Sequence, residues 1–153
     1  MKLYLVRHGQ ALDENKDVLR GLSEKGKLDA RKTAQFLKKA QIEIEVILSS
    51  RKTRAIETAE IFASKLMRAG MVEQIDGILP NDSASVYLKN IEFGVKDVML
   101  VGHLPFLASF TSLLLNREEN AVNILYSTSS VICLEQKDSQ SWQLRFSINA
   151  DLL

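Results

Sequence analysis

Short apolar runs alternate along the chain with longer segments whose apolar residues recur at helical spacing. Three runs rich in aliphatic residues and bounded by polar residues or glycine, 3–6, 46–48 and 98–101, are typical of buried strands. A helix-like segment follows each of these runs. Strands joined by helical crossovers lie parallel to one another, so the pattern predicts a mostly parallel sheet.

Four segments have the spacing of helices, and two of them begin with a residue that suits a helix start. Ser23 is a suitable N-cap for the first helix, and Pro105 suits the first turn of the fourth. The predicted helices cover residues 23–37, 53–70, 85–92 and 105–113.

The last two apolar runs, residues 131–135 and 142–148, are separated by a short polar stretch and predict a hairpin. This hairpin gives the sheet an antiparallel C-terminal edge. The fold class expected is α/β, a three-layer α/β/α sandwich around a mostly parallel sheet. The chain has 153 residues, 46% of them apolar, and we expect one domain over 1–153.

Charge and cysteine content limit the classes of partner and the cellular compartment that we expect for this chain. Lys and Arg number 20 against 19 for Asp and Glu, so no basic field indicates nucleic acid, and a bound anion requires a local cluster of cations. The single cysteine, Cys133, excludes an internal disulfide and suits a buried strand. The first apolar run is too short for a signal peptide or a membrane span. We therefore expect a cytoplasmic protein that binds neither membrane nor nucleic acid.

The chain holds two histidines, and each directly follows a predicted strand. Ligands of open α/β sheets bind beyond the carboxyl ends of the strands, so His8 and His103 are expected at the same edge. Arg7 precedes His8, and Arg54 lies in the first turn of the helix after the second strand. Gly9 offers backbone that can pass close to a ligand. These residues together predict one site.

A phosphoryl group suits this set of side chains. Guanidinium groups bind phosphate oxygens bidentately, and fixed cations stabilise the charge on a transferring phosphoryl group. Neighbouring arginines disfavour the protonated form of His8, which leaves it free to attack as a nucleophile at neutral pH. A cationic His103 would add donors to the phosphoryl oxygens. The sequence contains no metal-ligand set, Walker loop or GxGxxG motif, so we expect no cofactor and activity that survives a chelator.

Other polar residues near these positions are interpreted as structural or surface groups. Ser49 and Ser50 lack a surrounding G-x-S-x-G motif and are expected to satisfy backbone groups where the second strand meets its helix. Polar loop residues are usually solvent-exposed. The side chains assigned to the surface are those of Gln10, Asn15, Arg20, Arg51 and Lys52.

Four motifs in order resemble those of the histidine phosphatase superfamily, in the branch that includes phosphoglycerate mutases. Arg7-His8-Gly9 resembles the RHG signature. Residues 22–26 resemble "L-T/S-x-x-G", residues 49–58 resemble "SS-x-x-x-RA-x-ET", and residues 101–103 resemble "V-G/S-H". The RHGQA start and the HLP after the late strand are most similar to the SixA-type phosphohistidine phosphatases.

The resemblance implies a phosphoglycerate mutase-like fold in which His8 accepts the phosphoryl group. It implies further that Arg7, Arg54 and His103 bind that group, with Gly9 in the substrate site. Many members also use an acidic general acid after the third strand. The nearest candidate here is Asp82, with Asp76 behind it, and no glutamate occupies this region.

SixA-type members are thought to act without a strong acid, so the favoured interpretation is a phosphatase acting on a phosphohistidine-bearing protein. Two alternatives stay open. One is a small-molecule phosphomonoesterase or a mutase-like phosphotransferase. The other is a non-catalytic phosphate-binding module, which would keep the arginines and have no need of His8.

Overall fold

The computed structural model describes residues 1–68, 71–91, 94–138 and 141–153, which form a six-stranded sheet with helices on both faces. The strands are β1 (Lys2–Arg7), β2 (Val46–Ser50), β3 (Glu73–Ile75), β4 (Val98–Gly102), β5 (Val131–Asp138) and β6 (Ser141–Ile148). The helices are α1 (Glu24–Lys39), α2 (Thr53–Leu66), α3 (Ala84–Asn90) and α4 (Phe106–Asn116), followed by a 3-10 turn at Ala150–Leu152.

The strand order is β3-β2-β4-β1-β5-β6. β1, β2, β3 and β4 are parallel, whereas β5 pairs antiparallel with β1 and with β6. The predicted fold class, a mostly parallel sheet with an antiparallel C-terminal edge, is therefore confirmed. The carboxyl ends of β2, β4 and β1 lie side by side, and this arrangement positions the candidate site.

The central strand β1 is buried on both faces, as the continuous apolar run predicts. Tyr4 and Val6 belong to the core under α1 and α2, whereas Leu3 and Leu5 belong to the core under α3 and α4. Successive side chains of a strand point to opposite faces, so one short run supplies both cores. The three-layer arrangement follows from this double burial.

The helix starts agree well with the predicted ones. Ser23 is the N-cap of α1, and its Oγ accepts a hydrogen bond from the Gly26 amide at 3.0 Å. α2 begins at Thr53, as expected. Pro105 takes the N-cap position of α4 rather than its first turn, and this helix continues beyond Leu113 to Asn116.

Two predicted helix ends fall outside the described residues. The predicted end of α2 at Gly70 is one of them, and within the described chain α2 ends at Leu66. The other is Glu92, the predicted end of α3, which spans Ala84–Asn90. The strand β3 was not predicted, because its three residues include two that are polar and exposed. No helix in the described part of the chain is long and apolar enough to cross a membrane.

Candidate active site

The two histidines lie next to each other at the carboxyl edge of the sheet. β1 and β4 are parallel neighbours in which Arg7 is paired with Gly102, so the residues that follow, His8 and His103, emerge at the same level. Their ring centroids are 4.9 Å apart, with the ring planes inclined by 52°. The His8 amide also donates to the Gly102 carbonyl at 3.1 Å. The topology thus brings together residues ninety-five positions apart in sequence.

Contacts on both sides of the His8 ring determine its tautomer. Nδ1 lies 2.7 Å from the Gly9 carbonyl oxygen. A carbonyl oxygen only accepts hydrogen bonds, so Nδ1 carries the proton. On the other side, Arg54 Nε donates to His8 Nε2 at 3.3 Å. The neutral ring therefore keeps its lone pair on Nε2, the atom that faces the arginine.

The surroundings of His8 favour its neutral form. Burial lowers the pKa of His8 to about 4, and the positive charges of Arg54, Arg7 and Arg20 act in the same direction. The hydrogen bond to the Gly9 carbonyl opposes this shift. An imidazole with this pKa is almost entirely unprotonated at neutral pH, as a nucleophile must be.

His103 is also neutral in the free site. Its side chain is 1% exposed, and burial followed by the neighbouring charges lowers its pKa to about 3. The sequence suggested that a cationic His103 would add donors, whereas the lowered pKa favours the neutral ring at neutral pH when no anion is bound. Its Nε2 hydrogen bonds to Ser50 Oγ at 2.6 Å. A role for Ser50 in orienting this ring was missed, although the SS motif had drawn attention to the residue.

The two guanidinium groups are held by backbone and ring contacts rather than by carboxylates. Arg7 Nη1 donates to the Tyr126 carbonyl oxygen at 2.6 Å, and Arg54 donates only to His8 among the described residues. Neither forms an ion pair within the described chain. Burial lowers the pKa of each, since a cation loses hydration there. Both charges are therefore available to an anionic ligand.

Gly9 is buried, and its close packing explains the need for glycine. A Cβ at this position would lie 2.9 Å from the Gly26 carbonyl oxygen and 3.2 Å from Ser129 Oγ. The Gly9 amide donates to Thr58 Oγ1 at 2.9 Å, and Thr58 Oγ1 donates in turn to the Arg54 carbonyl at 2.6 Å. Gly9 thus aligns His8 through its carbonyl, while the predicted contact between Gly9 and a substrate stays a prediction. The sequence did not indicate that Thr58 connects Gly9 to Arg54 through these two hydrogen bonds.

Three buried side-chain polar atoms have no hydrogen-bond partner among the described residues, and all three lie at or against this site. They are Arg7 Nε, His103 Nδ1 and Ser129 Oγ. Buried polar groups are nearly always hydrogen-bonded in folded proteins. Their concentration at one edge of the sheet is typical of a site prepared for a polar ligand.

The family model for the histidine phosphatase superfamily (branch 1) matches residues 3–77, the segment that supplies His8 and Arg54. The chain belongs to this superfamily. It is 28% identical over 153 residues to the phosphohistidine phosphatase SixA of Escherichia coli strain K12, covering 94% of this chain and 93% of that protein. An uncharacterized protein of Picosynechococcus is 35% identical over 118 residues, covering 72% of this chain and 70% of its own length.

A solved structure supports the same fold for this chain. The protein histidine phosphatase SixA complexed with tungstate matches with a TM-score of 0.83 over 99% of each chain, at 23% identity. The expected fold class and the resemblance to SixA-type members are therefore confirmed.

The two acidic residues considered as the general acid have other partners. Asp82 lies just before α3, and its Oδ2 accepts a hydrogen bond from the Leu79 amide at 2.7 Å. Asp76 is exposed and pairs with Arg51 at 2.7 Å, and this hydrogen bond lowers the pKa of Asp76. A carboxylic acid with a lowered pKa stays ionised at neutral pH and has no proton to donate. The role of Asp82 stays a prediction.

The described residues contain no group of three or more histidine, cysteine or acidic side chains that could hold a metal ion. The guanidinium groups of Arg7 and Arg54 supply positive charge at the site. Arg51 and Lys52, which the sequence assigned to the surface, are indeed exposed.

Proposed function

We propose that this chain is a phosphatase that removes the phosphoryl group from phosphohistidine in a protein, through a covalent phosphohistidine intermediate on His8. The observation that carries the proposal is the state of His8, a neutral ring with Nδ1 bound to Gly9 and the Nε2 lone pair beside Arg54. A phosphate-binding module without catalysis has no use for such an aligned nucleophile. The similarity to SixA supports the choice of substrate.

The proposed reaction has two displacement steps at phosphorus. In the first, the Nε2 lone pair of His8 forms a bond to phosphorus while the P–N bond of the substrate breaks. The bonding electron pair leaves with the substrate imidazole, whose other ring nitrogen is already protonated, so that neutral imidazole is released. In the second, water attacks the same phosphorus atom. The P–Nε2 bond then breaks, its electron pair returns to His8, the proton of the attacking water passes to solvent and inorganic phosphate leaves.

The remaining residues of the site bind and orient the phosphoryl group in this proposal. Arg7 and Arg54 contribute two permanent positive charges that bind the non-bridging oxygens and stabilise the charge in each transition state. His103 Nδ1 is a third polar contact, since this buried atom has no partner among the described residues. A dianion beside the ring raises the pKa of His103 again, which strengthens this contact.

The proposal takes the chain as one domain over 1–153 that acts in the cytoplasm without a cofactor. Cys133 is a free, buried cysteine, and burial raises the pKa of its thiol to about 11. A buried thiol of this kind takes no part in redox chemistry or catalysis. A single buried cysteine is compatible with a reducing compartment.

Chemical trapping of the intermediate tests the proposed function. Phosphohistidine survives alkali and is hydrolysed by acid, so the wild-type chain quenched during turnover of a phosphohistidine protein should carry alkali-stable, acid-labile phosphate. His8→Ala should lose this label and about four orders of magnitude or more of turnover, because binding energy does not replace a nucleophile. The unfolding transition of the variant, measured by circular dichroism, serves as the control for folding. Normal turnover by His8→Ala, or turnover by the wild type without label, would contradict the mechanism.

A further inference from the structure

Ser50 and His103 share a buried hydrogen bond at the carboxyl edge of the sheet. Ser50 is the last residue of β2, His103 directly follows β4, and both side chains are almost completely buried. Ser50 Oγ lies 2.6 Å from His103 Nε2, and the Lys52 amide donates to Ser50 Oγ at 3.4 Å. No other hydrogen bond to this hydroxyl occurs in the described part of the chain. The proton between Ser50 and His103 therefore belongs to one of the two side chains, and its location defines the tautomer of the ring.

The hydrogen-bond partners of both side chains distinguish the two tautomers of a neutral His103. If Nε2 carried the proton, it would donate to Ser50 Oγ, and the Ser50 hydroxyl proton and the Nδ1 lone pair would both lack partners among the described residues. If Nδ1 carries the proton, the Ser50 hydroxyl donates to Nε2 and accepts from the Lys52 amide. Only Nδ1–H is then unpaired. Unpaired buried polar groups cost free energy, so the tautomer protonated at Nδ1 is the more stable one.

This tautomer gives His103 a role opposite to that of His8, although both rings carry the proton on Nδ1. The Gly9 carbonyl accepts from His8 Nδ1, and the His8 lone pair on Nε2 is left at the site beside Arg54. In His103 the hydroxyl of Ser50 occupies Nε2, and the N–H group is left without a partner. The two ring centroids are 4.9 Å apart. Neighbouring neutral rings thus provide a lone pair for phosphorus and a donor for an anionic oxygen.

We infer that Ser50 is a positioning residue that keeps His103 in the Nδ1–H tautomer, so that the neutral ring offers an N–H donor to a phosphoryl oxygen. The inference rests on the proposed function for the nature of the ligand. Ser50 acts through the ring and does not itself contact the phosphoryl group. The opposite tautomer would turn the Nδ1 lone pair toward the anion and repel it. Burial lowers the pKa of His103 to about 3, so the neutral ring is the form that meets the ligand.

NMR of the full chain, isotope-labelled at the histidine nitrogens and free of ligand at neutral pH, determines this tautomer directly. A protonated and an unprotonated ring nitrogen have well-separated chemical shifts, and His8→Asn assigns the signals because the chain has two histidines. Wild-type His103 should be protonated at Nδ1. Ser50→Ala should move this proton wholly or partly to Nε2, the nitrogen that free histidine favours. Protonation at Nε2 in the wild type, or an unchanged Nδ1–H tautomer in Ser50→Ala, would overturn the inference.

Binding of inorganic phosphate, measured by calorimetry, tests whether the tautomer serves the ligand. Ser50→Ala should weaken phosphate binding about ten-fold, the usual loss for a hydrogen bond to a charged group. Ser49→Ala is the matched control, because the Ser49 hydroxyl is equally buried in β2 but donates to the Ser50 carbonyl oxygen at 2.9 Å. This control should keep the wild-type tautomer and wild-type phosphate binding. Circular dichroism of each variant measures its folding.

Two results of the titration would contradict the role of Ser50. One is wild-type phosphate binding by Ser50→Ala, and the other is an equal loss of binding in Ser49→Ala. Failure of the proposed function would look different. If the wild type hydrolysed no phosphohistidine substrate, the proposed function would be wrong, whereas the nitrogen spectra and the phosphate titration would still decide the role of Ser50.

Discussion

His8 illustrates how backbone groups can select one chemical form of a side chain. The Gly9 carbonyl accepts a hydrogen bond from Nδ1–H, and this contact depends on close packing of Gly9 against Gly26, which leaves no space for a Cβ. The sequence indicated His8 as a nucleophile through its position after a strand and the adjacent arginine. Its tautomer could not be predicted, because the Gly9 carbonyl is oriented by contacts with residues 26, 58 and 129, which are distant in sequence.

Arg54→Ala tests the contribution of a single guanidinium group. Arg54 contacts His8 Nε2, where the phosphoryl group would be attached, so its removal should slow turnover by about two orders of magnitude or more, as the loss of one preorganised donor does. Arg7→Ala should have an effect of the same size.

Arg51→Ala is the matched control for this prediction. Arg51 lies three residues before Arg54 but is exposed and paired with Asp76, so its loss should leave steady-state kcat/KM unchanged. If Arg54→Ala altered thermal stability alone and kept wild-type kcat/KM, Arg54 would be a structural residue.

The two histidines should also make folding stability depend on pH. Burial lowers the folded-state pKa of His8 to about 4 and of His103 to about 3, against ~6.5 in an unfolded chain. As the pH falls below ~6.5, the histidines of the unfolded chain take up protons, whereas those of the folded chain do not. The free energy of unfolding therefore decreases from its value above pH ~6.5 as the pH falls toward 4. Each histidine contributes a slope of up to ~1.4 kcal/mol per pH unit in this range.

Urea unfolding at several pH values between 7.5 and 5 measures this dependence. The chain has two histidines, so the double variant His8→Asn/His103→Asn removes all histidine titration and should flatten the curve. An equally steep loss of stability in the double variant would assign the dependence to carboxylates instead.

At the scale of elements, the sequence predicted the helix starts and the apolar strands that are determined by local chemistry. Ser23 caps α1 through its own hydroxyl, and the apolar run of β1 is continuous because both of its faces are buried. Elements that depend on a neighbour were harder to predict. β3 is a strand because it pairs with β2, and nothing in the polar residues Glu73 and Gln74 indicates that pairing.

Gly26→Ala tests the contact between α1 and the loop that follows β1. Alanine favours a helix by about 1 kcal/mol over glycine, so helix propensity alone predicts stabilisation. A Cβ on Gly26 would, however, lie 2.1 Å from the Gln10 carbonyl oxygen, a backbone atom next to Gly9. We expect a net loss of about 1–3 kcal/mol in the free energy of unfolding, together with reduced turnover, because the helix must move away from this loop.

Gly94→Ala provides the control for this substitution. A Cβ on Gly94 meets no atom within 4 Å, so chemical denaturation should show unchanged stability. A Gly26→Ala variant as stable and as active as the wild type would show that the contact is easily relaxed.

At the scale of the whole molecule, an almost neutral chain carries a local excess of cations at one edge of its sheet. Lys and Arg exceed Asp and Glu by one, yet Arg7 ends β1 and Arg54 contacts His8 from the helix that follows β2. The sequence predicted this edge because strand ends in parallel sheets carry ligand sites. It did not predict the segment around Tyr126 and Ser129, which has no motif and reaches the site only through the tertiary fold.

The arrangement of charges across this edge also predicts a preference between substrates. An alkoxide leaving from a phosphomonoester is strongly basic and needs a positioned acid, whereas the imidazole of phosphohistidine is far less basic and can leave already protonated. The site supplies cations, but its two candidate acids are engaged elsewhere. Asp76 forms an ion pair with Arg51, which favours its ionised form, and Asp82 accepts a hydrogen bond from the Leu79 amide. We therefore expect kcat/KM for a phosphohistidine protein to exceed that for alkyl phosphomonoesters.

Asp82→Asn decides this point, because asparagine keeps an oxygen for the Leu79 amide and removes the carboxylic acid. Its effect on phosphohistidine hydrolysis should be far below the ~100-fold or more that a general acid contributes. Asp76→Asn, which alters an exposed carboxylate paired with Arg51, serves as the control in the same side-by-side kinetic measurements of both substrates. Rapid alkyl phosphate hydrolysis that collapses in Asp82→Asn alone would make Asp82 the general acid of a broad phosphomonoesterase, since an amide cannot protonate the departing alkoxide.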